Sequence, residues 1–190
     1  MQDIVRIAGE NVDLCILRTD EEAIEKYTKW INDENINQWI GHSHQVIHRE
    51  LEKKFIDNAS TAEDGTLTFS IVTKTSRQLI GTCSISKKAY SGNLGILIGD
   101  SSEYNKGIGT EVIKMLIKFC FNELHYHRVE LNVCDDNKRA IKCYEKAGLV
   151  QCGTKHEFCY YGGKWHDLIQ MELLKKNWRS INECLSILKK

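Results

Sequence analysis

The segment that most constrains the fold of this chain is a short loop with two glycines between two apolar stretches. Residues 94–98 (Leu-Gly-Ile-Leu-Ile) have the length and composition of a buried strand, and the loop at residues 104–109 (Tyr-Asn-Lys-Gly-Ile-Gly) follows them. Apolar residues then recur at helical spacing, which predicts an amphipathic helix over residues 107–124. Such a loop forms an anion site, because first-turn N–H groups have no acceptor within the helix and glycines let a ligand approach the backbone. The helix dipole and Lys106 add positive charge at the same place.

Hydrophobic periodicity along the rest of the chain predicts a mixed α/β fold in which helices flank one central sheet. Strands are predicted at residues 12–17, 67–73, 79–86, 93–99, 128–134, 149–161 and 164–174. Helices besides the one after the loop are predicted at residues 21–31, 33–40, 47–58 and 138–146. We expect Thr19 or Asp20 to cap the first helix. In the third helix we expect Leu51, Phe55 and Ile56 to face inward.

Length and charge limit the possible functions. The chain has 190 residues, enough for the one domain that we expect at residues 1–176, with a helical tail at residues 177–190. Its 26 basic and 26 acidic residues balance, so nothing in the charge argues for a nucleic-acid partner. No apolar run approaches the length of a membrane span, and residues 1–6 do not resemble a signal peptide. We therefore expect a cytoplasmic protein with no membrane partner.

Eight cysteines are present, and none of them form a Cys-x-x-Cys pair. Most lie in apolar periodic segments, which predicts buried free thiols in a reducing compartment and no bound metal. The alternative is a zinc site built from Cys152, His156, Cys159 and His166. Strand alternation would place Cys152 and His156 on one face and Cys159 on the other, which argues against shared coordination.

Two sequence blocks resemble the GNAT superfamily of acyl-CoA N-acyltransferases. The loop at residues 104–109 is similar to that family's Gln/Arg-x-x-Gly-x-Gly/Ala motif, with Tyr104 at the first position. Residues 137–149 (Asn-Lys-Arg-Ala-Ile-Lys-Cys-Tyr-Glu-Lys-Ala-Gly-Leu) resemble its Asn-x-x-Ala-x-x-x-Tyr-x-Lys-x-Gly-Phe block. The aromatic residue in the loop, and the segments at residues 30–33 and 39–41, look like the branch that contains the ribosomal-protein N-terminal acetyltransferases.

This resemblance implies a fold and a reaction. The fold would be a mostly antiparallel sheet of about seven strands, splayed between the fourth and fifth. The reaction would be transfer of an acetyl group from acetyl-CoA to a primary amine by direct attack in a ternary complex, without a metal. The acceptor would be a protein N-terminus, an aminosugar or a polyamine, and a homodimer is compatible with the family. A polyamine would need carboxylates in the acceptor region, where the sequence offers Asp33, Glu34, Glu50 and Glu52. The alternative is a GNAT-like module that binds CoA as a sensor or scaffold without turnover.

The same resemblance assigns the cofactor-binding residues. Backbone groups of Leu97 and Ile98 would pair with the pantetheine arm, and the loop would hold the pyrophosphate. The full expected set is Leu97, Ile98, Asn105, Lys106, Gly107, Ile108, Gly109, Thr110, Asn137, Ala140 and Tyr144. Lys138, Arg139 and Lys142 either meet the 3′-phosphate of the cofactor or form a solvated helix face.

The catalytic residues expected from the resemblance are Tyr144, Ile98 and Asn137. A backbone N–H near Ile98 would donate to the thioester oxygen. Helical spacing places Ala140, Tyr144 and Ala147 on one face, and the phenol of Tyr144, protonated at neutral pH, would give a proton to the leaving thiolate. The alternative for Tyr144 is a core tyrosine. Asn137 is either a plain helix cap, a residue that binds pantetheine or water, or both.

The general base is left open by the sequence. Many relatives carry a glutamate on the strand before the loop, and the matching position here is Asn93, which cannot act as a base. A water wire is one substitute, and the others are Glu103, Asp100, His42 and His44.

Cys143 is adjacent to Tyr144 in the sequence, so a mechanism in which its thiol is a covalent nucleophile has to be considered. Adjacent helical positions point about 100° apart, so we expect Cys143 to face elsewhere and the transfer to be direct.

Overall fold

Eight strands form one sheet in the computed structural model, which describes residues 3–40 and 46–178. The strands are β1 Val5–Ala8, β2 Val12–Ile16, β3 Thr66–Thr73, β4 Leu79–Lys88, β5 Ser91–Ile98, β6 Arg128–Cys134, β7 Val150–Tyr161 and β8 Lys164–Leu174. The α-helices are α1 Glu21–Ile31, α2 Glu34–Asn37, α3 Arg49–Thr61, α4 Ile108–Asn122 and α5 Lys138–Lys146, and a 3-10 turn at Ser101–Glu103 precedes the glycine loop. The mixed, helix-flanked sheet is therefore confirmed, with β1 as a strand that the sequence did not predict.

The sheet opens between β5 and β6. Its order is β1-β2-β3-β4-β5-β6-β8-β7, and every neighbouring pair is antiparallel except β5 and β6. That parallel pair is joined only where Ser91–Asn93 meet Arg128–Glu130, so the following residues of β5 have no strand on that side. The expected splay is present, and it lies between the fifth and sixth strands because β1 adds one to the count.

Helix α4 covers one face of the sheet and places the glycine loop at the opening. Its inward residues Val112, Ile113, Leu116 and Ile117 are at most 1% exposed and belong to the larger of two hydrophobic clusters. Burying each aliphatic side chain contributes roughly 1.5–3 kcal/mol. Glu111 also ties this helix to the β1–β2 turn, because its carboxylate accepts hydrogen bonds from backbone N–H groups of that turn at 2.7 and 2.9 Å.

Helices α1 and α3 cover part of the opposite face. Asp20 caps α1 by accepting a hydrogen bond from the Ala23 N–H at 3.2 Å. The inward prediction for α3 is correct for Ile56, which is 3% exposed, but wrong for Leu51 and Phe55, which are 56% and 61% exposed. The buried stripe of α3 runs through residues 52, 56 and 59, so residues 51 and 55 are rotated about 100° away from it.

The β7–β8 hairpin turns at Gly162 and Gly163, whose φ angles of +58° and +77° suit a tight two-residue turn. The register of β7 shifts twice, between Gln151 and Gly153 and between Lys155 and Cys159. The regular alternation of side chains between the two faces of β7, which was our argument against a zinc site, is therefore interrupted at these two places.

No group of three or more His, Cys, Asp or Glu residues in the described ranges could hold a metal ion. Cys159 instead lies with its Sγ 3.2 Å from that of Cys134, and His156 pairs with Asp167. The seven cysteines in the described ranges are free thiols, and Cys184 lies outside those ranges.

No helix among residues 3–40 and 46–178 is long and apolar enough to cross a membrane. The predicted tail helix falls largely on residues 179–190, which are outside the described residues.

Candidate active site

A cavity of about 640 Å³ lies where β5 leaves β6, between the glycine loop, the start of α4 and helix α5. We call it the basic cavity, after its lysine and arginine residues 138, 139, 142 and 146. All but one of the predicted cofactor-binding residues line it: Leu97, Ile98, Asn105, Gly107, Ile108, Gly109, Thr110, Asn137, Ala140 and Tyr144. Lys106 is the exception, because its Nζ pairs with Glu103 Oε1 at 3.0 Å.

The N-terminus of α4 presents unpaired backbone N–H groups to this cavity. The first hydrogen bond of the helix runs from the Glu111 N–H to the Gly107 carbonyl at 3.0 Å, so the three preceding N–H groups have no acceptor within the helix. Gly107 has φ +84°, and no atom lies within 4 Å of the position that a Cβ would take there. A Cβ on Gly109 would meet only the Sγ of Cys143, at 3.2 Å. The backbone is therefore open to close approach by an anion.

The charges around the basic cavity also favour binding of an anion. Lys138, Arg139, Lys142 and Lys146 line it, and among the lining residues that the structure describes the only carboxylate is Glu103, which is paired with a lysine. The Arg139 guanidinium stacks over the ring of Tyr104, 3.9 Å from its centroid. Helix dipole and basic side chains together give this cavity a positive potential.

Helix α5 supplies Asn137 and Tyr144. The Asn137 Oδ1 accepts a hydrogen bond from the Ala140 N–H at 3.1 Å, so the expected cap is present. Tyr144 is 9% exposed and lines the cavity, and burial is the main cause that raises the pKa of its phenol. The ring is both part of the core and part of the cavity wall, so its position is compatible with either alternative for Tyr144.

The end of β5 is held by contacts that the sequence motifs do not reveal. Tyr104 donates from its hydroxyl to the Ile98 carbonyl at 3.0 Å, and the Gly99 N–H donates to the Ile80 carbonyl at 2.8 Å. A Cβ on Gly81 would lie 2.1 Å from the Leu97 carbonyl oxygen, so only glycine fits opposite this peptide. The only signal in the sequence was the unusual aromatic residue at the first loop position.

Cys143 contacts the first turn of α4. Its Sγ accepts a hydrogen bond from the Thr110 hydroxyl at 3.5 Å, and burial raises the pKa of the thiol. The expectation that Cys143 faces elsewhere is wrong to the extent that it lines the same cavity as Tyr144. A protonated, hydrogen-bonded thiol is a poor nucleophile.

The carboxylates that we considered as general bases already have partners in the structure, and the Asn93 Oδ1 has none among the described residues. Asn93 is half-buried, and within the described ranges its Oδ1 is buried with no hydrogen-bond partner. Glu103 pairs with Lys106, and Asp100 accepts hydrogen bonds from the backbone and hydroxyl of Ser102. His42 and His44 lie outside the described residues.

A second cavity of about 770 Å³ lies between the sheet and helices α1 and α3. We call it the acidic cavity, because Glu52, Glu63 and Asp64 line it and no Lys, Arg or His does among the described residues. The two cavities share Ile40, Ile96 and Leu97 in their walls, so they meet at the end of β5. Of the four carboxylates expected in an acceptor region, only Glu52 lines it.

A family profile described as "Acetyltransferase (GNAT) domain" matches residues 13–150. A probable N-acetyltransferase, YjcK of Bacillus subtilis, is 31% identical over 102 residues, which are 52% of this chain and 56% of that protein. The chain therefore spans little more than half the length of this curated relative.

Two solved structures share the fold. Spermidine N-acetyltransferase from Vibrio cholerae, in complex with CoA and spermine, has a TM-score of 0.78 at 19% identity and covers 88% of this chain and 98% of its own. Mycobacterium smegmatis RimJ in complex with CoA-disulfide has a TM-score of 0.74 at 18% identity and covers 90% of this chain and 85% of its own.

Proposed function

This chain belongs to the GNAT acetyltransferase family, whose profile matches more than half of its length, and from this premise we propose that it transfers an acetyl group from acetyl-CoA to a primary amine. The observation that carries the proposal is the basic cavity, where unpaired N–H groups of α4 and four basic side chains face the same space. No metal enters the proposal.

The residues present fit the cofactor. The N–H groups of residues 108–110 suit the pyrophosphate, because Gly107 and Gly109 leave the space in front of them free. Lys138, Arg139 and Lys142 suit the 3′-phosphate. The backbone of Ile98 borders the gap in the sheet, where an extended pantetheine arm finds a strand-like partner, whereas the Leu97 carbonyl points toward Gly81 on β4.

Bound acetyl-CoA supplies an acetyl thioester, and the chain supplies the groups around it. The Ile98 N–H is our candidate donor to the developing oxyanion, since Tyr104 fixes the carbonyl of the same residue and the Gly99 N–H is already engaged. Tyr144 keeps its proton at neutral pH because its pKa is raised by burial, and it protonates the departing sulfur. Asn137 holds the start of α5, and thereby the position of Tyr144.

Transfer is direct in this proposal. Cys143 stays a thiol because burial raises its pKa, so the amine itself attacks the thioester. Protein N-termini, aminosugars and polyamines all present such an amine. The relatives' names cover acceptors of more than one of these kinds, among them aminoglycosides and spermidine.

One observation favours a second candidate, a CoA-binding module without turnover. Asn93 cannot accept a proton, and by the family resemblance it stands at the strand position where a glutamate base is expected.

Calorimetry with CoA and acetyl-CoA, followed by a thiol-release assay on a panel of amines, tests both candidates. We expect micromolar-range binding that Gly109→Glu abolishes, and turnover on at least one amine. Tight binding with no turnover on any amine supports the second candidate. If the Gly109→Glu variant binds CoA as tightly as the wild-type protein does, the assignment of the loop as the pyrophosphate site is wrong.

A further inference from the structure

We infer that Cys134 and Cys159 form a redox-active pair, which a low-molecular-weight disulfide oxidises to an intramolecular disulfide. The two sulfur atoms are 3.2 Å apart, and the Cys134 thiol donates a hydrogen bond to the Cys159 Sγ. Among the seven cysteines in the described ranges, this is the only pair joined by a hydrogen bond between their sulfurs. Neither cysteine lines the basic or the acidic cavity, so the inference does not depend on the proposed function.

The two thiols come from strands that are not neighbours in the sheet. Cys134 is the last residue of β6 and Cys159 is on β7, whereas β8 lies between these strands. The register of β7 shifts between Lys155 and Cys159, so β7 carries extra residues there as a bulge. A bulge bends its strand, and Cys159 directly follows this one. The bend therefore explains how the Cys159 thiol reaches over β8 to the end of β6.

Contacts with β8 fix the bulge. Asp167 Oδ1 accepts a hydrogen bond from the Glu157 N–H, and Asp167 Oδ2 contacts His156 Nδ1, both at 2.9 Å. Glu157 has a φ angle of +48°, which few residues other than glycine adopt without such support. Pairing with β8 resumes at Cys159, opposite His166. The position of the Cys159 thiol is thus set by the folded hairpin, so its contact with Cys134 is a property of the folded state.

The two thiols differ in their access to an oxidant. Cys134 is 5% exposed, and burial is the main cause that raises the pKa of its thiol to about 12. Cys159 is partly exposed. Since exchange starts with a thiolate that can reach the oxidant, Cys159 reacts first and Cys134 reacts second.

Oxidation proceeds by two thiol–disulfide exchanges, written here with glutathione disulfide. The Cys159 thiolate attacks one sulfur of glutathione disulfide, so a mixed disulfide forms, the original S–S bond breaks and one glutathione leaves as its thiolate. The Cys134 sulfur then gives its proton to solvent, attacks the Cys159 Sγ and displaces the second glutathione. The two cysteines lose two electrons and two protons, and glutathione disulfide is reduced to two molecules of glutathione.

Oxidation of the reduced full chain with glutathione disulfide tests the assignment. Remaining thiols are alkylated, and the peptides are mapped by mass spectrometry. We expect one disulfide, between Cys134 and Cys159, that dithiothreitol reverses. In glutathione redox buffers, we expect the effective concentration of the two thiols to be about tenfold or more higher in the folded chain than in urea, because only the folded state brings them into contact.

Single substitutions separate the two steps. Cys134→Ala should stop the reaction at a mixed disulfide between glutathione and Cys159, and Cys159→Ser should leave the buried Cys134 unmodified. Cys152→Ser is the matched control, because Cys152 is an exposed cysteine on the same strand whose sulfur contacts the Gln170 carbonyl at 3.5 Å. This control should form the same disulfide as the wild-type chain. If Cys134→Ala does not fold, the wild-type map and Cys159→Ser decide.

Absence of a disulfide, a disulfide between other cysteines, or glutathione retained on Cys159 in the wild-type chain overturns the inference. An effective concentration that is equal in the folded chain and in urea overturns it as well. All of these readouts work without an amine acceptor. A negative thiol-release assay therefore contradicts the proposed function alone, and a negative peptide map contradicts the cysteine pair alone.

Discussion

Replacing Tyr144 by phenylalanine removes one hydroxyl and keeps the ring that packs in the core. No residue in the described ranges hydrogen-bonds to that hydroxyl, so the change removes no partner among them, and we expect the free energy of unfolding to change by less than about 1 kcal/mol. The chemical step loses its proton donor. General acids contribute about 10²–10⁴-fold, and a thiol leaving group has a pKa of only about 8.5, so the lower end applies. We therefore expect kcat to fall about 100-fold, which corresponds to about 2.7 kcal/mol of activation free energy.

The assay is thiol release at saturating acetyl-CoA and amine, with acetyl-CoA affinity measured separately by calorimetry. Affinity should stay within twofold, because the phenol acts only as the thiolate departs. Tyr90→Phe is the matched control, since Tyr90 is 84% exposed and lines neither cavity, and it should leave kcat unchanged.

The pH profile gives a second readout. Because burial raises the pKa of Tyr144, the acid stays protonated, and its ionisation should cause no loss of kcat below pH of about 10. Wild-type kcat in the Tyr144→Phe variant would refute the assignment of Tyr144 as the acid.

For three further substitutions, the structure predicts whether binding or stability rises or falls. Gly109→Glu should abolish acetyl-CoA binding by calorimetry, because the new side chain adds volume and negative charge in front of the free N–H groups, whereas Gly109→Ala should retain measurable binding. Gly81→Ala would bring a Cβ within 2.1 Å of the Leu97 carbonyl oxygen, so the backbone must move; we expect a loss of about 1–3 kcal/mol in chemical unfolding and reduced kcat. Asp20→Asn should lower Tm more at pH 7 than at pH 2, because the hydrogen bond from Arg18 is the main cause that lowers the pKa of Asp20 to about 2. Its stabilising effect is then fully present above the unfolded pKa of about 4 and disappears as pH falls through about 2. A Tm difference that is the same at both pH values would contradict this account.

The strands and helices that the sequence predicted correctly are those with a strong apolar period. Helix α4 has apolar residues at i, i+3 and i+4 positions along its whole length, and its buried face follows from them. Strand β1 has four residues, three of them exposed, at the edge of the sheet, so it carries no alternating signal. The inward face of α3 was misjudged because Glu52 is buried in a cavity wall, whereas Leu51 and Phe55 are mostly exposed. A hydrophobicity pattern cannot anticipate a carboxylate that faces inward.

In the candidate site, too, the features that depend on local sequence were predicted and those that depend on tertiary structure were not. The helix starts at the glycine loop and at Asn137 were predicted because their motifs are local, and each folds into one helix start or one helix face. Contacts that depend on the path of the chain in three dimensions were missed, such as the close approach of Gly81 to Leu97 and the hydrogen bond from Tyr104 to Ile98. These depend on how strands pair and where β5 departs from the sheet, which no local spacing encodes.

The junction of the two cavities also constrains the protonation state of the acceptor. Its wall is apolar, formed by Ile40, Ile96 and Leu97, and a charged group placed there loses most of its hydration. In the proposed reaction, a neutral thioester and a neutral amine can therefore meet at the end of β5 without a large desolvation cost. Because Asn93 cannot accept a proton, we expect the amine to lose its proton to water before it reaches this junction.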